Sequence, residues 1–125
     1  PLPRKDQEKF LNSSDIVISS LIPGMAGISV PSRMYNIFAS GKPIFCIGDE
    51  ESEMAYVIKE KKVGWNITPG NSSAAIKIID EISSNKIQLE KMGQRARFLA
   101  VNQYAKEKIL KNYLKLFDEI SNENF

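Results

Sequence analysis

The stretch Val30-Pro31-Ser32-Arg33-Met34-Tyr35-Asn36-Ile37-Phe38-Ala39-Ser40-Gly41-Lys42-Pro43-Ile44-Phe45-Cys46-Ile47 decides the fold class. Its first part reads as a helix beginning near Pro31, because proline suits a first helical turn. Met34, Ile37 and Phe38 stand at i, i+3 and i+4, which gives the helix one inward apolar face. Gly41 stops it, as a glycine just past a helix end does. Pro43 to Ile47 follows as a short apolar strand. A helix running directly into a buried strand is the repeating unit of an α/β sheet.

The same alternation extends both ways. Upstream, Pro3 to Ser13 reads as a short helix with Phe10 and Leu11 on its apolar side. Asp15 to Ser20 is β-branched and apolar and reads as a buried strand. Leu21 to Ser29 is a loop containing Pro23, Gly24 and Gly27. Downstream, Gly48-Asp49 is a turn, and Glu51 to Glu60 is a helix with Met54, Val57 and Ile58 inward. Val63 to Ile67 is a third strand, closed by the turn Pro69-Gly70-Asn71. Residues 73–121 are helical, with apolar positions that include Ile76, Ile79, Phe98, Leu114 and Phe117.

Strands alternating with helices predict a Rossmann-like parallel sheet flanked by helices. Three strands are few for a sheet covered on both faces, and the chain opens Pro-Leu-Pro without a methionine. The expectation is therefore an incomplete α/β domain over residues 1–125, with further strands upstream. A raw sheet edge of that kind is expected to self-associate.

Composition narrows the function. The chain has 125 residues, of which 42% are apolar and 26% charged, as in an ordinary single globular domain. The formal net charge is only +2, with both signs mixed along the helices, so a nucleic-acid partner is not expected. There is no histidine and a single cysteine, Cys46. Disulfide frameworks, the usual zinc sites and histidine-based triads are thereby excluded within this chain. No apolar run reaches membrane-spanning length.

In an open α/β sheet, ligands bind beyond the carboxyl ends of the strands. The loop Leu21–Ser29 lies at such an end and leads into Ser32 and Arg33. A hydroxyl, an arginine fork and the first turn of a helix together suit a phosphate or diphosphate. An ordinary glycine-containing loop explains the same residues, and local physics leaves both readings open. The acidic run Asp49-Glu50-Glu51-Ser52-Glu53 reads either as helix capping or as a carboxylate for sugar hydroxyls, with Glu51 or Glu53 placed to serve. Cys46 and Trp65 read as packing residues.

The segment from Val30 to Ile44 resembles the "PSK-x-Y-x-x-x-A-x-G-K-P" stretch of bacterial group 1 (family 4) glycosyltransferases of GT-B fold. It is most similar to sugar transferases of polysaccharide and O-antigen synthesis. Leu2-Pro3-Arg4 with Asp15-Ile16-Val17, Ile47-Gly48-Asp49 with Ser52-Glu53-Met54-Ala55, Gly64 with Pro69-Gly70-Asn71, and Met92-Gly93-Gln94-Arg95-Ala96-Arg97 resemble that family's flanking segments in order. The resemblance implies the C-terminal, donor-binding domain of a two-domain enzyme. Its substrate would be a nucleotide-sugar, UDP- or GDP-linked, and no metal or other cofactor is implied. The acceptor-binding N-terminal domain would be a separate, missing partner. Location would be cytoplasmic, with that missing domain able to hold the enzyme at the inner face of the membrane.

By the same resemblance Ser32 and Arg33 meet the donor diphosphate, while Gly24 and Gly27 let the loop approach the sugar phosphate. Tyr35 and Asn36 line the nucleotide side. The family's paired glutamates would fall at Ile28 and Asn36, neither of them acidic, so Glu53 is the candidate substitute at the ribose. No catalytic side chain is assigned to this chain, and the fragment alone is expected to be inactive. The alternative is a non-catalytic nucleotide- or phosphate-binding α/β module. A receiver-type module is disfavoured, because Asp15 begins its strand and Lys42 precedes one.

Overall fold

The computed structural model describes residues 3–28 and 31–123, except for the side chains of Arg4 and Glu123. The positions read above at Leu2, Ser29 and Val30 lie outside the described residues. After a short 3-10 turn at Arg4–Asp6, the elements are α1 (Gln7–Asn12), β1 (Val17–Ser20), α2 (Arg33–Ala39), β2 (Ile44–Ile47) and α3 (Glu53–Lys61). They continue with β3 (Gly64–Ile67), α4 (Ser72–Ser84), α5 (Lys86–Asn102) and α6 (Lys106–Glu123). The strands form one parallel sheet in the order β1-β2-β3, so β2 is central. This is the expected Rossmann-like α/β arrangement, a parallel sheet flanked by helices.

Register explains the core. Val17, Ile44 and Gly64 stand in one row across the sheet, and Ser19, Cys46 and Asn66 in the next row on the same face. Ile44 and Cys46 are fully buried there against Met34, Ile37 and Phe38 of α2, Met54, Val57 and Ile58 of α3, and Ala96 and Leu99 of α5. Each of the larger side chains contributes roughly 1.5–3 kcal/mol by leaving water. The i, i+3, i+4 spacing on α2 therefore does what the sequence predicts.

The helix ends are chemically fixed. Ser52 caps α3 by accepting the Ala55 N–H at 3.2 Å. Asn71 and Asn85 do the same for α4 and α5, accepting from Ala74 and Gln88. After α2 the chain reverses at Gly41, whose φ of +68° suits glycine. The guanidinium of Arg97 on α5 donates to the Ala39 carbonyl at that same end. At Gly93 an added Cβ would collide with the Gly41 carbonyl oxygen. The Gly-Lys-Pro and Met-Gly segments of the sequence thus meet as one close contact between α2 and α5.

Three expectations are corrected. β1 is not a fully buried strand: among the described residues it is an edge strand, and Ile18 is 60% exposed. α4 has no buried residue, and its Ile76 and Ile79 face outward. Phe98 and the α6 residues Leu114 and Phe117 are also exposed. In the helices the apolar spacing is amphipathic, and for them as for β1 no element among the described residues covers the exposed side. No described helix is long and apolar enough to cross a membrane.

Candidate functional site

Parallel pairing brings the carboxyl ends of β1 and β2 side by side, with Ser20 opposite Ile47. A cavity of about 390 Å³ opens beyond them. Ser19 and Ser20 form its floor at the end of β1, and Met25 and Ala26 of the following loop form one wall. Ser32 and Arg33, where α2 begins, form a second wall. Asp49 and Ser52, between β2 and α3, form a third. The site therefore occupies the place that strand-end logic predicts.

Its lining is mixed: Leu21, Ile22 and Pro31 give it apolar surface, beside polar groups that carry both signs of charge. The Ser32 side chain makes no capping hydrogen bond, so its hydroxyl is not consumed by the helix it precedes. Among the described residues Arg33 makes no ion pair. Ser19 and Ser52 are nearly fully buried hydroxyls in the walls. Asp49 does not approach the arginine as a salt-bridge partner. It accepts instead the backbone N–H of Gly24 at 2.7 Å, from one carboxylate oxygen. Gly24 has φ of +77°, a conformation that glycine adopts without the strain a Cβ would bring.

The turn after β2 is tied on its other side too. Asn66 of β3 donates from Nδ2 to the Gly48 carbonyl at 3.2 Å. Asp49 is thus held between the third strand and the loop after β1. Below it, Cys46 is buried in the central strand, and burial pushes its thiol up to about 11. A neutral, inaccessible thiol is a packing group, not a nucleophile.

The residues singled out in the sequence fall into four places. Ser32 and Arg33 are brought together on the cavity wall, with Gly24 and Gly27 in the loop that contributes Met25 and Ala26. Tyr35 points elsewhere and meets the ring of Tyr104 edge-on, with centroids 5.1 Å apart. Asn36 lines a separate depression of about 420 Å³ between α1 and α2, together with Glu8, Leu11 and Ser40. Glu53 is exposed in the first turn of α3, beside the cavity residue Ser52 but not itself in the wall. Sequence reasoning missed Ser19, Ser20, Asp49 and Ser52 as wall residues. The available signal was their position, since each lies at or just after the carboxyl end of a strand.

The chain is similar to the probable glycosyltransferase WbjE of Pseudomonas aeruginosa, with 31% identity over 104 residues, or 83% of this chain. It spans about a quarter of that relative's length (26%). The chain is thus related in sequence to a glycosyltransferase. No protein-family model matches it. No solved structure matches it either.

Proposed function

We propose that this chain, as a relative of a glycosyltransferase, forms the donor-binding part of an enzyme that moves a sugar from a nucleotide-sugar to a glycan or lipid-linked acceptor. The observation that carries the reading is Arg33. Its guanidinium has no carboxylate partner among the described residues and shares a strand-end cavity wall with the free hydroxyl of Ser32. Arg33 is exposed, and an exposed cation without a counter-charge at a cleft is available to an incoming anion.

Glycosyl transfer from a nucleoside diphosphate develops negative charge on the departing diphosphate. A positioned arginine and hydroxyl donors stabilise that charge more in the transition state than in the ground state. In this reading Arg33 takes the diphosphate oxygens bidentately, Ser32 donates a further hydrogen bond, and the glycine-containing loop closes over the sugar phosphate. The ribose and base lie toward the start of α3, where Glu53 is an exposed carboxylate in the first turn. Tyr35 and Asn36 enter only if the nucleotide extends along α2. The acceptor, and the group that activates it, belong to another part of the enzyme in polysaccharide synthesis. Neither a metal nor a resident cofactor is part of this proposal.

The test is a titration of the chain with UDP and GDP, read by amide NMR shifts. The reading expects shifts at Ser19, Ser20, Gly24, Ser32, Arg33 and Asp49. Arg33→Ala should weaken binding about tenfold or more, as loss of a charge-assisted contact does. Arg33→Lys should recover only part of it, because a point charge does not replace the fork. Absence of shifts at these residues, or an Arg33→Ala chain that binds as well as the parent, would sink the proposal.

A further inference from the structure

The far end of the sheet carries a second charged surface. At the amino end of β3 the chain turns through Lys62, whose φ is +55°. Arg95 of α5 donates from Nε to the Lys62 carbonyl at 2.8 Å, which seats α5 beside that turn. A depression of about 630 Å³ opens between α3 and α5, walled by Lys59, Lys62, Lys91 and Arg95 and by no aspartate or glutamate. Among the described residues none of these four cations is ion-paired. A neighbouring depression of about 520 Å³ shares Lys91 and Arg95 and adds Lys61 and Phe98. Lys61 is already engaged by Glu60 at 2.7 Å.

The spacing on α5 adds an apolar component. Ile87, Lys91, Arg95 and Phe98 stand at i, i+4, i+8 and i+11. They fall within roughly 80° of the helix circumference and along about 16 Å of its axis. Ile87 is 67% exposed and Phe98 61%. Two cations are therefore bracketed by an exposed isoleucine and an exposed phenylalanine on one line, with the lysines of α3 alongside.

We infer that this face docks the domain on an anionic phospholipid surface. Lysine and arginine head groups meet lipid phosphates, while aliphatic and aromatic side chains settle at the headgroup boundary. A nucleic-acid strand would use the cations and could stack a base on Phe98, but it would leave the exposed aliphatic side chain of Ile87 without a partner, whereas a headgroup boundary takes both. The contact is peripheral, since no described helix spans a membrane. It also leaves the strand-end cavity, at the opposite end of a parallel sheet, away from the lipid. The inference does not depend on what that cavity binds.

The experiment is co-sedimentation of the 125-residue chain with vesicles of phosphatidylcholine alone, or of phosphatidylcholine containing about one third phosphatidylglycerol. Binding is expected only to the anionic vesicles and should fall with rising salt. Lys59→Glu/Lys91→Glu should reduce it by about tenfold or more. Neither side chain makes a hydrogen bond or ion pair among the described residues, so the fold should be kept. Lys59→Gln/Lys91→Gln, a gentler pair, should give a smaller loss in the same direction. Ile87→Ser/Phe98→Ser should weaken binding with its salt dependence unchanged.

The helix α6 also carries lysines and an exposed apolar face, and it supplies the decisive control. If Lys111→Glu/Lys115→Glu abolishes binding while Lys59→Glu/Lys91→Glu does not, the inference is overturned. Equal binding to neutral and anionic vesicles overturns it as well. So does a Lys59→Glu/Lys91→Glu chain that keeps its vesicle binding while losing binding to a single-stranded oligonucleotide.

Discussion

The Asp49 carboxylate and the Gly24 N–H, 25 positions apart in sequence, are joined by a hydrogen bond of 2.7 Å. That bond ties the loop after β1 to the turn after β2, and it sets a negative charge in the same cavity wall system as Arg33. The two roles of Asp49 oppose each other when an anion arrives: it holds the loop in place, but it repels phosphate.

Separating those roles gives the first prediction. Asp49→Asn keeps an oxygen for the Gly24 N–H and removes the charge. UDP should then bind about two- to fivefold more tightly, the scale of a partly solvated charge interaction. Asp49→Ala removes the acceptor and frees the loop. Its amide signals at Gly24, Met25 and Ala26 should broaden, and affinity should fall below that of the parent chain. Calorimetric titration of the three proteins checks the order. A weaker Asp49→Asn complex would mean that the carboxylate accepts a hydrogen bond from the ligand itself.

The close contact of Gly93 with the Gly41 carbonyl predicts a stability effect separate from binding. Gly93 lies inside α5, where alanine would by propensity alone be the better residue by up to about 1 kcal/mol. Packing reverses that preference, because the added methyl meets backbone that cannot rotate away. Gly93→Ala should therefore destabilise the chain by about 1–3 kcal/mol, as overpacking does. Denaturant unfolding followed by circular dichroism measures this. A neutral or stabilised variant would show that α5 can shift away from α2 without cost.

What the sequence made legible was local. Met34, Ile37, Phe38 and Gly41 follow from helix periodicity and termination, and all four behave as read. Ser32 and Arg33 were legible because strand-end logic needs only the order of elements. Asp49 and Ser52 also follow a strand end, and that much was readable; their place opposite residues 19–33 was not, because it comes from strand pairing across the sheet. The apolar faces of α4 and α6 were legible as amphipathic patterns, while β1 read as a strand buried on both sides. Periodicity says which side is apolar but not what covers it, and for Ile18, Ile79 and Phe117 nothing among the described residues does. Tyr35 and Asn36 show the complementary limit. Once α2 commits Met34, Ile37 and Phe38 to the core, its other sides are fixed, and they face Tyr104 and α1.

Cys46 makes a pH prediction with a definite sign. Burial raises its thiol from 9.0 to about 11 in the folded chain. Below pH 9.0 both states keep the proton, and the group's contribution to stability is constant. Between there and about 11 the unfolded chain loses the proton and the folded chain retains it, so the unfolded state gains and stability falls. Melting temperature should therefore drop across that window more steeply for the parent chain than for Cys46→Ala, which lacks the titration but is less stable throughout because of the cavity left behind. The same burial predicts that a thiol reagent labels Cys46 only under unfolding conditions. Parallel pH profiles for the two chains would remove the thiol as the cause.

Ile18 tests the sheet edge. β1 pairs only with β2 among the described residues, so its other side offers unpaired backbone groups, and Ile18 adds an exposed apolar side chain on the face away from the core cluster. An edge of that kind pairs with a second copy of itself unless a charge blocks the approach. The chain is expected to show concentration-dependent association in sedimentation velocity, and Ile18→Lys should shift it toward the monomer. Stability should change by no more than about 0.5 kcal/mol, since the side chain is mostly in solvent already. The alternative source of association is the apolar face of α6, where Leu114 and Phe117 are equally uncovered. Leu114→Lys/Phe117→Lys distinguishes the two: if that pair disperses the oligomer and Ile18→Lys leaves it intact, the contact is helical and the strand edge is not the interface.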